Sequence, residues 1–216
     1  MKHFPTRSIA ITVMVTLLTG CALNKAQRGA IIGAGAGGVV GGVIGNNTGS
    51  TVRGAIIGAA VGGVAGAVIG HQMDKQAQEL AYEIPGATVA RVGEGIAVTF
   101  PDGSLFAYDS DQLLPGAQDN MRKFAASLMK YPSTRAMIVG HTDARGTATY
   151  NADLSQRRAD ATASFVAQAG VDRARLDASG RGETEPIATN DTEAGRQQNR
   201  RVEVAIYAND AARAGN

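Results

Sequence analysis

The chain has 216 residues and a mass of 22.2 kDa, which predicts one or two domains. It carries 21 Lys and Arg against 19 Asp and Glu, and a net charge of +2 excludes a basic nucleic-acid binder as a description of the whole chain. Aromatic residues make up 5% and Trp is absent, which argues against aromatic stacking platforms. One cysteine excludes an internal disulfide, and three widely spaced histidines argue against a zinc site.

The charges are distributed unevenly along the chain. Residues 1–70 contain five Lys or Arg and no Asp or Glu, whereas residues 71–216 contain sixteen basic and all nineteen acidic residues, a net charge of −3. The two parts are therefore expected to face different surroundings. The first is apolar and free of acids, and the second has the composition of an ordinary soluble domain.

The N-terminus has the pattern of an export signal. Lys2 and Arg7 precede an apolar run of ten residues, about 15 Å as a helix and too short to cross a bilayer, which predicts a signal peptide over 1–20. The stretch that ends at Cys21 resembles the bacterial lipobox, and this implies cleavage before Cys21, acylation of its thiol and a lipidated tether over 21–27. By analogy with such lipoproteins, Ala22 favours the outer membrane. An ordinary signal peptide with an incidental cysteine is the alternative.

A glycine-rich segment occurs twice. Residues 28–45 (the first copy) and 53–70 (the second copy) are offset by 25 residues and identical at 14 of 18 positions. Both have glycine at every fourth position, which places the glycines on one face of a helix. Each glycine costs about 1 kcal/mol relative to Ala in a helix, and close helix packing within a membrane gives a reason for keeping them. The sequence therefore predicts a helical hairpin over 28–70 with a polar turn between the copies.

This segment resembles the glycine zippers of bacterial outer-membrane lipoproteins. Each copy offers 17 uncharged residues, about 25 Å of helix, which suits a thin bilayer. Membrane insertion or membrane-associated oligomerisation through residues 29–70 is the favoured interpretation, and it includes a homo-oligomer formed through the zipper. A hairpin packed on a protein partner and a flexible linker are the alternatives.

The remainder of the chain alternates predicted strands and helices. Polar, helix-forming residues predict a helical connector over 71–86. The elements that follow begin with a hairpin of Thr88–Val92 and Ile96–Phe100, a turn at 101–104 and a short extended piece at 105–108. A helix is predicted from Pro115 to about Lys130, and its buried stripe consists of Met121, Phe124, Ala125, Leu128 and Met129. Further predicted elements are strands at 137–140 and 176–178, a helix from Tyr150 to about Ala169, and a strand through Val202, Val204 and Ile206. This order predicts an α+β fold, a β-hairpin followed by αβαβ, with a mixed sheet and its helices on one face.

Three linked motifs lie within this part of the chain. They are the heptapeptide 140–146, the decapeptide 150–159 that opens a helix, and Asn199-Arg200-Arg201-Val202-Glu203. Together they resemble the OmpA-like C-terminal domain, with its patterns G-x-T-D-x-x-G, Y-N-x-x-L-S-x-x-R-A and N-R-R-V-E. The resemblance covers residues 87–208 and leaves 209–216 as a flexible tail.

The resemblance implies non-covalent binding of peptidoglycan through the diaminopimelate of its stem peptide. Asp143 is expected to take the ammonium and Arg158 to hold the carboxylate. Thr142 and Asn151 are expected near the ligand, Leu154 in the pocket wall, and Arg200 on the ligand or on the last strand. Several alternatives stay open at this stage. They are a structural ion pair between Asp143 and Arg158, Asn151 as a helix N-cap, a purely structural Arg200, and a metal held by His141 and Asp143 without further ligands.

The expected function is a tether between the outer membrane and the cell wall, in a lipid-anchored protein whose soluble domain lies in the periplasm. The alternative is an envelope assembly or scaffold lipoprotein that oligomerises or binds partners through its zipper, with wall binding only for localisation. An enzyme is not expected, because the sequence lacks an ordered nucleophile–base pair, a phosphate loop and a metal set. No cofactor, resident metal or nucleic-acid partner is expected.

Overall fold

A computed structural model describes residues 50–61, 67–107 and 109–213 of the chain. The signal peptide, the Cys21 tether and the first glycine-rich copy lie outside the described residues, and the predictions for them stay predictions. Among the described ranges, no helix is both long enough and apolar enough to span a membrane.

The described ranges contain seven α-helices and five strands. The helices are α1 (Thr51–Val61), α2 (Ala67–Glu83), α3 (Asp102–Leu105), α4 (Pro115–Lys130), α5 (Ala148–Gln168), α6 (Glu193–Asn199) and α7 (Asp210–Arg213), with a 3₁₀ turn at Arg173–Arg175. The strands are β1 (Thr88–Val92), β2 (Gly95–Pro101), β3 (Thr134–His141), β4 (Leu176–Gly180) and β5 (Arg201–Ala208).

The strands form one mixed sheet in the order β1-β2-β5-β3-β4. Strands β3 and β4 are parallel, and the other neighbours pair antiparallel. Strand β5 is central, with Val204 opposite Val98 on one side and Ile138 on the other. The mixed sheet and the α+β class predicted from the sequence are confirmed.

The inner face of the sheet packs against α4 and α5 and carries the main core. Alternate residues of three strands point into it because side chains alternate along a strand; they are Ile96, Val98, Phe100, Ala136, Ile138, Val202, Val204 and Ile206. The ring of Phe124 in α4 meets the ring of Phe100 in β2 edge to face, with the ring centroids 6.4 Å apart. Met129 was expected in the buried stripe of α4 but is 46% exposed. Successive residues of a helix are rotated by 100° around its axis, which carries Met129 beyond Leu128 and out of the buried face.

Helix α2 was predicted as a connector, and the structure places it in the core. Its buried residues recur every three or four positions, the period of a helix face; they are Met73, Gln76, Ala77 and Leu80, with Ile84 just beyond the helix. The amide of Gln76 donates to Ser127 Oγ at 3.2 Å, and Glu79 accepts from Lys130 Nζ at 2.6 Å, so both contacts join α2 to α4. The folded unit therefore begins before residue 87.

Helix α1 lies on the outer face of the sheet, opposite α4 and α5. Its Val52 and Ile56 are buried against Val139 and Ala205, whose side chains point away from the main core. The two helices that the sequence predicts on one face of the sheet are α4 and α5 on the inner face, and α1 packs on the outer face.

The segment after β2 differs from the predicted turn and extended piece. Residues 102–105 form the helical turn α3, and Phe106 makes an isolated antiparallel bridge with Leu113. The helical turn places Leu105 in the core. A helical turn is favoured because it buries this side chain, an effect that the local sequence does not show.

Replacing Leu80 by Ala is expected to lower the free energy of unfolding by about 2–5 kcal/mol, because Leu80 is fully buried in the core. Urea denaturation of the full chain measures the loss. Tyr82→Ala is the matched control on the same helix, since Tyr82 is 91% exposed and its replacement is expected to change stability by less than about 0.5 kcal/mol. Equal effects of the two substitutions would show that α2 is a free connector.

Candidate ligand-binding site

The candidate site lies where three strands of the sheet begin or end. His141 at the end of β3 and Pro101 at the end of β2 both pair with Arg201, the first residue of β5. This register brings the residues just beyond the strands together. They are Asp102 after β2, Thr142 and Asp143 after β3, and Arg200 before β5, and the backbone N–H of Asp102 donates to the carbonyl of Arg200 at 3.0 Å.

Helix α5 supplies the remaining candidate residues and is held tightly against the strand ends. A methyl group on Gly140 would collide with the carbonyl of Ser155, so the backbones of β3 and α5 are in direct contact. Ser155 Oγ accepts from the N–H of Gly182 at 2.8 Å, and Gln156 Oε1 accepts from the N–H of Gly180 at 2.7 Å. The position of α5 over the strand ends is therefore fixed.

Asp143 is a nearly buried carboxylate held on both oxygens. Oδ2 accepts from Arg200 Nη1 at 2.5 Å, and Oδ1 accepts from the backbone N–H of Arg145 at 3.0 Å. Arg200 also donates to Glu193 at 2.9 Å. Hydrogen bonds from Arg200 and Arg196 lower the pKa of Glu193, so this acid stays ionised beside the guanidinium. Arg200, whose role the sequence left open, therefore orients Asp143.

Arg158 is only 3% exposed and is held by three different groups. Its Nε donates to the carbonyl of Ser110 at 2.9 Å, its Nη1 lies 3.0 Å from Asp102 Oδ2, and its guanidinium carbon lies 5.2 Å from the ring centroid of Phe106. Among the residues that the structure describes, the polar contacts of Arg158 engage Nε and Nη1.

Asp102 is a site residue that the sequence motifs do not indicate. The sequence predicts only a turn at this position. The pairing of Asp102 with Arg158 is not visible in the sequence, because the two residues lie 56 positions apart and no local pattern links them. Burial raises the pKa of Asp102 to about 6, and the charges of Arg158 and Arg200 oppose that rise. Within the described part of the chain, its Oδ1 is buried and has no hydrogen-bond donor.

The other predicted residues lie around this centre. Asn151 Nδ2 donates to the carbonyl of Asp143 at 3.2 Å and to Glu183 Oε2 at 2.6 Å. Its interpretation as an N-cap is wrong, because α5 starts earlier and Thr147 Oγ1 caps it by accepting from the N–H of Tyr150. The hydroxyl of Thr142 is buried without a partner among the described residues, and Leu154 is buried too.

Asp143 and Arg158 are not joined in an ion pair of their own, which was one alternative from the sequence. Arg200 holds the first and Asp102 the second. The metal alternative is not supported either. His141 lies 3.4 Å from Glu203, and within the described ranges no group of three or more His, Cys, Asp and Glu side chains is placed to hold a metal ion.

Comparison with known proteins agrees with this architecture. Residues 105–200 match the model of the OmpA family, and residues 1–74 match the model of the YMGG-like Gly-zipper. The chain carries an OmpA-like domain. The family match ends at Arg200, and it covers all the candidate side chains except Asp102.

This chain is similar to two proteins named as lipoproteins and to one solved cell wall anchor. The chain is 37% identical over 138 residues to a protein named probable lipoprotein YiaD from Escherichia coli, covering 63% of each. It is 38% identical over 113 residues to the peptidoglycan-associated lipoprotein of Legionella pneumophila, covering 51% of this chain and 64% of that one. The solved cell wall anchor of the T6SS from Pseudomonas aeruginosa superimposes with a TM-score of 0.56 at 33% identity, covering 62% of this chain and 97% of that one. The chain spans less than two thirds of the length of the two lipoproteins.

The buried carboxyl of Asp102 makes stability depend on pH. The folded-state pKa of Asp102 lies near 6, above the unfolded value of 3.8. The contribution of the protonated carboxyl to the free energy of unfolding is therefore complete below pH 4 and is lost as the pH rises through 6. Asp102→Asn, which stays neutral, is expected to match wild type at pH 4 and to be about 1–3 kcal/mol more stable at pH 7. Urea denaturation at several pH values between 4 and 7 measures the difference. A difference independent of pH, or one of opposite sign, would contradict the assignment.

Proposed function

We propose that the OmpA-like domain binds peptidoglycan non-covalently through the diaminopimelate of its stem peptide. The observation that carries the proposal is a pair of oppositely charged, nearly buried side chains, Asp143 and Arg158, each held in place by a different partner. Diaminopimelate ends in an ammonium and a carboxylate on one carbon. A site for it needs one fixed anion and one fixed cation.

The chemistry of the two side chains matches the two ends of this group. Asp143 accepts hydrogen bonds from the ammonium, and Arg158 donates from Nη2 to the carboxylate. Such bonds are stronger away from bulk water, and both side chains are withdrawn from it. Because Arg200 and Asp102 already orient the two charges, little side-chain entropy is lost when the ligand binds.

The similar proteins support this proposal through their names. One is a peptidoglycan-associated lipoprotein, and another is the cell wall anchor of a T6SS. We infer that this chain is a lipid-anchored outer-membrane protein, held through acylated Cys21, whose domain in the periplasm tethers the membrane to the wall. The role is binding without turnover, and it uses no cofactor.

Sedimentation of the full mature chain with diaminopimelate-type peptidoglycan tests the wall end. Asp143→Asn and Arg158→Ala are each expected to weaken binding by about 10-fold or more, since each removes a charge-assisted hydrogen bond. Arg157→Ala is the matched control, because Arg157 neighbours Arg158 but is half exposed and pairs with Asp111. It is expected to bind within about twofold of wild type.

Two further arms separate the parts of the proposal. Free diaminopimelate is expected to compete with the wall, and peptidoglycan that carries lysine in its place is expected to bind weakly, since lysine lacks the second carboxylate. Equal binding of both kinds of peptidoglycan would support wall binding but would contradict recognition through diaminopimelate. Unchanged binding by folded Asp143→Asn and Arg158→Ala would overturn the site, with folding checked by circular dichroism.

A further inference from the structure

The outer face of the sheet carries an apolar surface that the proposed wall site does not use. It consists of Ala97, Met137, Val139, Ala205 and Tyr207, whose side chains point away from the main core, and we call it the outer-face patch. Helix α1 covers this patch, and most of α1 belongs to the second glycine-rich copy. Wall binding gives no reason for a zipper helix to lie there.

The contact is a packed interface along one stripe of α1. Val52, Ile56 and Ala59 are buried and lie within about 60° of one another around the helix. Ile56 is 1% exposed and sits directly over Gly95, where a Cβ would lie only 2.6 Å from the Ile56 Cγ2 methyl group. Its neighbour Ile57 faces outward and is 36% exposed.

Polar contacts fix both ends of this helix. Thr51 Oγ1 lies 2.5 Å from Glu185 Oε1 and accepts from Arg181 Nε at 2.7 Å, and the backbone N–H of Thr51 donates to Glu185 Oε2 at 3.0 Å. The carboxylate therefore lies at the helix N-terminus, where a negative charge is favourable. Towards the other end, Arg213 Nη1 donates to the carbonyl of Ala59 at 3.5 Å.

These contacts distinguish the two copies. The copies align at an offset of 25, so Ile56 and Ile57 correspond to Ile31 and Ile32. The positions that correspond to Thr51 and Val52 hold Ala26 and Gln27. The first copy therefore lacks the hydroxyl that Glu185 and Arg181 hold, and it would bury an amide where the second copy buries an apolar side chain.

The contact stripe is also separate from the glycine row. Gly54 and Gly58 lie about 160–200° around the helix from Ile56, so docking uses the β-branched residues and not the glycines. A bilayer hairpin made of both copies would have to remove α1 from the patch and break every contact described above.

We propose that the outer-face patch is a docking surface that selects the second glycine-rich copy over the first and holds residues 51–61 on the OmpA-like domain, outside the bilayer. Docking thereby divides the duplicated segment. The first copy is left for the membrane or for partners, and the second belongs to the folded domain.

Hydrogen exchange of the full mature chain in vesicles of phosphatidylethanolamine and phosphatidylglycerol tests this. In wild type the amides of 51–61 are expected to be protected. Ile56→Ala is expected to reduce that protection by about 30-fold or more, the effect of truncating a buried Ile. Ile57→Ala, a matched truncation on the exposed side, and Ile31→Ala, the equivalent change in the first copy, are expected to reduce it by less than about threefold.

Bilayer insertion gives a different pattern. Ile56 and Ile57 would then face similar surroundings, and the two truncations would have equal effects. Equal effects, an effect of Ile31→Ala as large as that of Ile56→Ala, or unprotected amides in wild type would each overturn the proposal. Thr51→Val keeps the side-chain shape and removes the hydroxyl, so it is expected to lower protection by about fivefold even if Ile56→Ala fails to fold. Wall sedimentation of the same samples tests the wall site separately, since none of these residues belongs to it.

Discussion

The candidate site and the core both depend on the antiparallel pairing of β5 between β2 and β3. The register that buries Val202, Val204 and Ile206 on the inner face also sets Arg201 opposite Pro101 and His141. Residues one step beyond these strand ends therefore meet at one edge of the sheet. A shift of β5 by one residue would turn its core-facing side chains outward, and it would at the same time move the charged groups apart. Core packing and site geometry are therefore specified by the same contacts.

The site keeps two opposite charges nearly buried without joining them to each other. Each charge has its own partner, and the partners differ in character. Arg200 is shared between Asp143 and an exposed acid, Glu193, whereas Asp102 is itself buried and carries a raised pKa. Removing a charge from water is unfavourable unless partners compensate it, and the incomplete compensation of Asp102 is the cost of holding Arg158 beneath the surface. The zwitterionic ligand proposed above would add a further opposite charge beside each of the two side chains.

The two helices before the domain show that its limits are set by packing and not by the family motifs. Helix α2 completes the core through Met73, Ala77 and Leu80, and α1 covers the outer-face patch through Val52 and Ile56. A fragment that begins at residue 87 would lose both and expose apolar surface on two sides of the sheet. The second glycine-rich copy thus has a role within the described fold that its glycine spacing alone does not indicate.

Local patterns in the sequence determined the elements whose signals are short-ranged. Pro115 and the apolar stripe predicted α4 from Pro115 to about Lys130, the alternation of Val202, Val204 and Ile206 predicted β5, and three motifs predicted the OmpA-like domain. Tertiary structure alone decided which groups meet. The pairing of Arg158 with Asp102, the hold of Arg200 on Asp143, the capping of α5 by Thr147 in place of Asn151, and the docking of α1 all follow from it. The physical reason is that helix and strand periods are properties of neighbouring residues, whereas these contacts join residues brought together only by strand register and by burial of apolar surface.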